Sequence, residues 1–483
     1  MSVNLLINPC KIEVMYSIKK NISISIIAQI VSMGCGILLQ LLIPKFVDVN
    51  QYAYWQLFLL YANYVGILHF GLLDGFVLRY SQYDYEQLDK KKLRTQFFVL
   101  LLFLSFASFI VCLGGINVSD KNYQQIFLLI AASIIIKITF TYASYSFQIT
   151  NRIKKYAVQI ILQRVAYLIG VLILIFGGVN DFFWFCFVEL LGETIAIGYA
   201  FSQNPDLFVG KIISFQNIWG ELKLNLVAGI MLMVANWTGN FAIALMRLVI
   251  QQRWGLLVFG QVSLCFSVMQ VFLAFIMAAS IALFPSIKRM NPDELPLLYK
   301  KLRNSSSVLL LACLIFYFPM AFALNWWLPK YQTSLIYLAM LLPFILYSSK
   351  LTMLTNTYLK AYRKEKVMMF INVGTLALGA SLFYFMAYIV NSVDAVLYGM
   401  LAIMIFRSVI SECVVEKIID QKNISLKIEE FVSSFFFILI AKNLSLVQGF
   451  LVYCAVVCLL VAKHRDAIRF LICPLTRHIG RRG

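Results

Sequence analysis

Four cations interrupt stretches that are otherwise apolar enough to cross a bilayer: Lys137, Arg164, Lys350 and Arg407. The clearest case is IFLLIAASIIIKITFTYASYSFQ (126–148), which puts Lys137 near the point where the hydrocarbon would be thickest. A cation there costs roughly 2.5–3.5 kcal/mol on insertion scales, so it must face a negative partner or a wet passage. Lys137 heads a stripe with Thr141, Ser144, Tyr145 and Gln148, spaced as one face of a helix. Ile134, Ile135 and Ile138 are read as the lipid-facing side. Lys350 stands among Ser348, Ser349, Thr352, Thr355 and Asn356, and Arg164 lies between Gln163 and Tyr167.

Two carboxylates share these depths. Glu189 and Glu193 are four residues apart and so point from one helical face, where two like charges in low dielectric repel unless a cation or a proton intervenes. They can neutralise Lys137 or Arg164, or they can form a site that responds to protons or sodium. Arg407 is within reach of Glu412, and pairing there is the ordinary explanation for it. Asp74, in GLLDGF, reads as a gate residue or as an interface carboxylate. Asn236, Thr238 and Asn240 surround Trp237, a combination that suits sugar hydroxyls and ring faces, although helix–helix hydrogen bonding also uses such residues. Arg247 and Arg253 flank the outer end of the same stretch, where positive charge is scarce. No set of residues reads as catalytic. The ten cysteines are scattered, form no CxxC pair and make no metal-like cluster with the three histidines.

The elements that position these groups follow from composition. The chain has 483 residues, 61% apolar and 13% charged, with a mean hydropathy of +0.83, values of an all-α polytopic membrane protein rather than of a soluble domain. With about 20 apolar residues per crossing, fourteen spans are read: 23–43, 53–77, 97–116, 125–147, 158–178, 182–202, 224–246, 257–284, 307–328, 335–357, 367–389, 395–414, 430–444 and 446–463. The thirteenth is the least apolar. Counting Lys and Arg tests the set: 31 fall on the side of both termini, 6 on the other side and 4 within spans. Cytoplasmic loops carry such an excess, so both termini are expected in the cytoplasm. The net charge of +19 is then a topology signal and an attraction to anionic lipid headgroups, not a nucleic-acid footprint. The first residues do not read as a cleavable signal. Trp55, Trp184, Trp254, Trp326 and Trp327 fall at outer ends and Trp219 near an inner one, as interfacial belts do. Outer loops are mere turns, too short to hold the catalytic groups of a glycan polymerase.

An internal repeat organises the spans. SFQITNRIKKYA after span 4 aligns with TYLKAYRKEKVM after span 10 at an offset of 211, pairing Arg152 with Arg363 and bringing Lys137 to Ser348, two residues from Lys350. The repeat predicts two six-helix bundles in the same orientation plus two C-terminal helices. The expected organisation is a cytoplasmic N-terminus (1–22), an N-lobe of spans 1–6 (23–202), an inter-lobe linker (203–223), a C-lobe of spans 7–12 (224–414), a C-terminal helix pair (415–463) and a basic cytoplasmic tail (464–483).

The plan, together with NISISIIAQIVSMGCGILLQLLIPKFVDVNQYAYWQL (21–57), FGLLDGFVLRYSQ (70–82), ALFPSIKR (282–289) and LNWWLPKYQTSLIYLAMLLP (324–343), resembles the multidrug/oligosaccharidyl-lipid/polysaccharide (MOP) exporter superfamily. Within it, the chain is most similar to the Wzx-type flippases of O-antigen and capsule synthesis. The resemblance implies a MATE/MOP-like fold in the bacterial inner membrane and an undecaprenyl-pyrophosphate-linked oligosaccharide as substrate, moved through a cationic lumen by alternating access. It implies no cofactor other than a coupling H+ or Na+ gradient. It implies membrane lipids and other glycan-assembly membrane proteins as partners, and no nucleic acid. On that basis the substrate-binding set is expected to be Lys137, Arg164 and Lys350 with Thr141, Tyr145, Asn236 and Asn240. Glu189 and Glu193 are expected as the coupling site, and Asp74 and Arg247 as gate residues. The rival readings are a cation–drug antiporter of the same fold, which should favour carboxylates in its lumen, and a membrane glycan polymerase or ligase.

Overall fold

The computed structural model describes residues 9–288, 294–420 and 423–465; the first eight residues, the last residue of ALFPSIKR and the tail from 466 onward lie outside the described residues. Among the described residues there is no β-strand. The chain divides into two compact units, Met1–Asn236 and Trp237–Gly483.

Unit 1 contains α1 (Pro9–Phe46), α2 (Val49–Tyr64), α3 (Leu72–Tyr80), α4 (Lys90–Ile116), α5 (Lys121–Ile149), α6 (Ile153–Phe176), α7 (Phe182–Gln203) and the start of α8 (Phe215–Lys288). The rest of α8 belongs to unit 2. It is followed by α9 (Leu295–Cys313), α10 (Tyr317–Trp327), α11 (Gln332–Leu341), α12 (Phe344–Lys350), α13 (Asn356–Ala361), α14 (Glu365–Phe385), α15 (Val393–Ile418), α16 (Ile424–Asn443) and α17 (Leu446–Lys463). Short polar side chains start several helices: Asp89, Asp120 and Asp181 accept from backbone N–H groups of α4, α5 and α7, and Ser392 and Ser445 do so for α15 and α17.

Among the described residues, ten helices are long and apolar enough to cross a membrane, or up to twelve if each of two bent pairs is one span. α8 is interrupted at Gly255 (φ 83°), so it is two helices in sequence, matching spans 7 and 8. α16 carries Lys427, Glu429, Glu430 and Lys442 within 20 residues and is not among the ten. Fourteen spans are compatible with this architecture.

Two spans are broken. α2 passes through a short 3-10 turn into α3 with a bend of 59°, at Phe70 and Gly71, both left-handed. Gly71 and Gly75 form a small-xxx-small face that lies directly on the start of α8. A β-carbon on Gly75 would stand 1.9 Å from the Asn225 carbonyl oxygen, and one on Gly229 would stand 1.9 Å from that of Gly71. Backbones that close require glycine on both sides. The second break is at Pro343, where α11 and α12 meet at 48°. A π-helical turn, Leu351–Thr355, follows Lys350.

The core of unit 1 surrounds α5. Ile134, Ile138 and Tyr142 pack with Leu93, Phe97, Leu100 and Leu104 of α4, and the Tyr142 ring stacks on Phe97 at 4.1 Å. The expectation that Ile134 and Ile138 meet lipid is therefore corrected: each is 1% exposed, because α5 has neighbours on both its polar and its apolar sides. Trp55 is likewise no belt residue. It is buried and donates its indole N–H to Tyr167 Oη at 3.2 Å. Trp184, Trp219 and Trp326 are exposed.

The repeat is present in backbone detail. After α5, Asn151 (φ 53°) closes a turn in which Asn151 N–H donates to Gln148 O and Arg152 N–H to Phe147 O. After α13, Arg363 (φ 54°) closes the same turn, with Arg363 N–H on Lys360 O and Lys364 N–H on Leu359 O. Both are the Schellman pattern. The structural offset is thus 212, one residue from the 211 of the sequence match, because the turn is registered by the left-handed residue and not by the arginine.

Substituting Gly75 or Gly229 by Ala should sharply lower thermal stability or block folding, read as the midpoint of a detergent-based size-exclusion melt. Gly198→Ala, whose β-carbon meets nothing within 4 Å, should leave that midpoint unchanged or slightly raised. Equal melts for all three would refute the close-crossing account.

Candidate functional site

Each unit holds a lysine gripped by glutamates of a neighbouring helix. In unit 1, Lys137 projects from α5, and Glu189 and Glu193, one turn apart on α7, meet it. Its Nζ donates to Glu189 Oε1 at 2.8 Å and to Glu193 Oε1 at 2.9 Å, with the three side chains 16%, 8% and 7% exposed. The second oxygen of each carboxylate is buried without a hydrogen-bond partner. Two carboxylates against one ammonium leave one negative charge uncompensated in the triad. Arg164, midway along α6, acts on Glu193 through its field without touching it.

In unit 2 the arrangement is larger. Lys350 Nζ donates to Glu412 Oε2 at 3.1 Å and to Glu430 Oε2 at 2.6 Å. Arg303 adds a second cation: Nε donates to Glu412 Oε1, while Nη1 and Nη2 grip the Glu430 carboxylate at 2.6 and 3.0 Å. Ser307 completes the set, donating to Glu430 Oε1 at 2.5 Å and accepting from Arg303. The four charges come from α9, α12, α15 and α16, sum to zero, and are each 1% exposed. Each of the four carboxylate oxygens accepts at least one hydrogen bond, the condition under which buried charges are tolerated.

The other expected residues separate. Thr141 is turned back on the Lys137 carbonyl at 2.8 Å, and Tyr145 is half-buried against the unit 1 core. Ser144 donates to Gln159 on α6. Asn236 and Asn240 are exposed. Asp74 is buried beside His69, 3.8 Å from its Nε2, just past the α2–α3 break. Arg247 is fixed inside unit 2, its Nε and Nη2 donating to Ser263 Oγ at 3.1 and 2.7 Å and its guanidinium 5.0 Å from the Phe259 ring centroid. The structure brings together Lys137, Glu189 and Glu193. It encloses Lys350 in a cluster of its own, away from any surface. The expected Arg407–Glu412 pair does not form, because Glu412 is taken by Lys350 and Arg303. Among the described residues, neither Arg164 nor Arg407 makes an ion pair.

Sequence reasoning missed Arg303 and Glu430. Arg303 was counted among loop cations and Glu430 as the border of span 13. The available signal was the i, i+4 spacing of Tyr299, Arg303 and Ser307, which puts a guanidinium and a hydroxyl on one face of α9.

No family model matches the sequence, and no curated protein matches it. The fold does match solved structures. A lipid II flippase, MurJ, in an inward closed conformation superposes with a TM-score of 0.65 at 14% identity, covering 92% of this chain and 99% of that one. The chain shares the fold of this structure. An inward-facing multidrug-resistance MATE transporter of the MOP superfamily follows at 0.61 and 12% identity, covering 84% of this chain and 98% of that one. A MOP transporter from Pyrococcus furiosus, whose binding pocket is described as of reverse polarity, matches at 0.50 and 11% identity over 83% and 96%. The fold shared with the lipid II flippase thus extends over 92% of the chain.

Removing one member of a balanced buried set strands its partner, at a cost of about 3–5 kcal/mol. Glu430→Gln should therefore destabilise the protein strongly, and adding Lys350→Met should restore much of the loss by rebalancing the charge. A double-mutant cycle on thermal melts checks this, and strict additivity of the two changes would rule out the network.

Proposed function

We propose that this protein is a flippase that moves an undecaprenyl-pyrophosphate-linked oligosaccharide, an O-antigen or capsule repeat unit, across the bacterial inner membrane to its outer leaflet. The observation that carries the reading is the chain-length fold match to a lipid II flippase. The charge distribution supports it. Both carboxylate sets are occupied by their own cations, whereas Arg164 is half-buried and has no acidic partner among the described residues. An arginine kept in that state suits a negatively charged headgroup, since guanidinium binds phosphate bidentately. A headgroup of that kind cannot cross about 30 Å of hydrocarbon bare; donors that replace its hydration, exposed first to one side and then to the other, remove that barrier without covalent chemistry. The distribution of Lys and Arg supports a cytoplasmic position for both termini.

The second reading, a cation–drug antiporter, has the MATE transporter match behind it. It calls for carboxylates free to meet a cation. In this chain Glu412 and Glu430 are saturated, and Glu189 and Glu193 each keep only one buried oxygen free of protein contacts. That residual charge suits a proton or a small monovalent ion, and we assign it the coupling role, with Lys137 holding the carboxylates and Tyr167 and Cys186 within their field.

In cells whose surface glycan depends on this protein, Arg164→Gln should reduce that glycan at least tenfold by immunoblot, and Arg164→Lys should retain part of it. Normal glycan in the Gln variant at normal protein level, or ethidium transport by vesicles carrying the wild-type chain, would turn the assignment toward the antiporter. Collapsing the proton gradient and the sodium gradient separately should slow export in one case; indifference to both would remove the coupling role from Glu189 and Glu193.

A further inference from the structure

Of the described cations of unit 2 that lie within its spans or are enclosed by them, most are held by the protein's own side chains. Arg303 and Lys350 are held by Glu412 and Glu430, and Arg247 by Ser263. Arg407, midway along α15, is the exception. Its Nη1 donates to the Gly239 carbonyl of α8 at 2.5 Å, and its Nε is buried with no acceptor. Its Nη2 has no acceptor among the described residues either. A guanidinium offers five N–H donors in a rigid plane, and the Nε–Nη2 edge is one of the two that grip an oxyanion with parallel hydrogen bonds. On Arg407 that edge is vacant.

A second donor converges on the same spot. A β-carbon built on Gly239 would lie 3.4 Å from Arg407 Nη2 and 3.8 Å from Asn372 Nδ2. The guanidinium and the amide therefore meet over the bare face of a glycine. Asn372 is 5% exposed, on α14, and its amide group makes no side-chain hydrogen bond among the described residues. Two donors beside one glycine, neither with an acceptor among the described residues and one of them a cation without an ion-pair partner there, are unfavourable in an apolar span. They are satisfied by an anion that arrives from outside.

We propose that Arg407 and Asn372 form an oxyanion-binding site of unit 2, the Nε–Nη2 edge of Arg407 taking two oxygens of the transported headgroup and the Asn372 amide a third contact. The proposal rests on the reading of the protein as an exporter of an anionic lipid-linked glycan and names the residues of unit 2 that meet the charge. The oxyanion is a phosphoryl group of the lipid carrier or a carboxylate of an acidic sugar; both present the same paired oxygens. Because Nε is shielded here, the site opens when α8 or α14 shifts against α15.

The test uses the full chain in nanodiscs, with binding of farnesyl pyrophosphate and of glucuronate measured by calorimetry on wild type, R164Q, R407Q, R407K and G239A, and with thermal melts of each. R407Q should weaken binding of one probe at least tenfold with no drop in melting temperature, R407K should keep part of the affinity, and G239A should lose several-fold by crowding the fork. The probe that R407Q loses identifies the source, phosphate or sugar carboxylate. Wild-type affinity for both probes in R407Q, with loss in R164Q, overturns the site while leaving the exporter reading standing. So does a loss of binding in R407Q accompanied by a melt as depressed as that of E430Q, which would make Arg407 structural. A wild-type chain that binds neither probe removes the exporter reading, and the site with it.

Discussion

A charged side chain in an apolar helix has to be neutralised, and in this protein the neutralisation is what fastens the bundles. In each unit a lysine of the fourth span is held by a glutamate of the sixth span of the same repeat: Lys137 by Glu189 and Glu193, Lys350 by Glu412. Helices packed in lipid gain little from hydrophobic association, since acyl chains are as apolar as leucine. Ion pairs that cannot find water have no alternative partner, so they fix which helices lie together. In unit 2 the same grip is extended through Arg303 and Glu430 to α16, a helix too charged to pass as a span by hydropathy alone. Further pairs hold α16 along its length, Lys427 with Glu416, Lys442 with Asp394 and Lys463 with Glu429.

The two grips differ in charge. The unit 2 set sums to zero, and its carboxylates are fully engaged. The unit 1 triad carries one carboxylate too many, with an unmet oxygen on each glutamate. A closed set resists change; an unbalanced one can gain or lose a proton or a small ion with little rearrangement. Arg164 in one unit and Arg407 in the other lie within spans and make no ion pair among the described residues. The two kinds of cation differ in chemistry: an ammonium is a point charge that two carboxylates can enclose, whereas a guanidinium presents a planar fork.

Much of the fold was legible in the sequence because bilayer physics is one-dimensional. Span length, the asymmetry of Lys and Arg and the recurrence of a basic turn depend on local composition, and the helical, repeated architecture follows from them. The repeat even appears in the same Schellman turn at Asn151 and Arg363. Local patterning failed where a helix has neighbours on all sides. Ile134 and Ile138 looked like a lipid face and are core, and Trp55 looked interfacial and is buried on Tyr167. It failed again at the edges of spans, where Arg303 and Glu430 resemble loop charges although both are enclosed.

By itself, the sequence determined that the chain crosses a membrane many times, that its halves repeat, and that a small number of ionisable residues sit where water is absent. It also offered Glu189 and Glu193, presented from one face by their i, i+4 spacing, as partners for Lys137 or Arg164. Which cation met which carboxylate in unit 2 was a tertiary decision. Arg303 and Glu430 lie 127 residues apart, and Glu412 had two cations within reach along the chain but only one direction in which its helix could point. The packing of α9, α12 and α16 around α15 turned Glu412 toward Lys350 and left Arg407 on another side. A side chain's charge is written in the sequence, but whether that charge is spent is decided by the helix that packs against it.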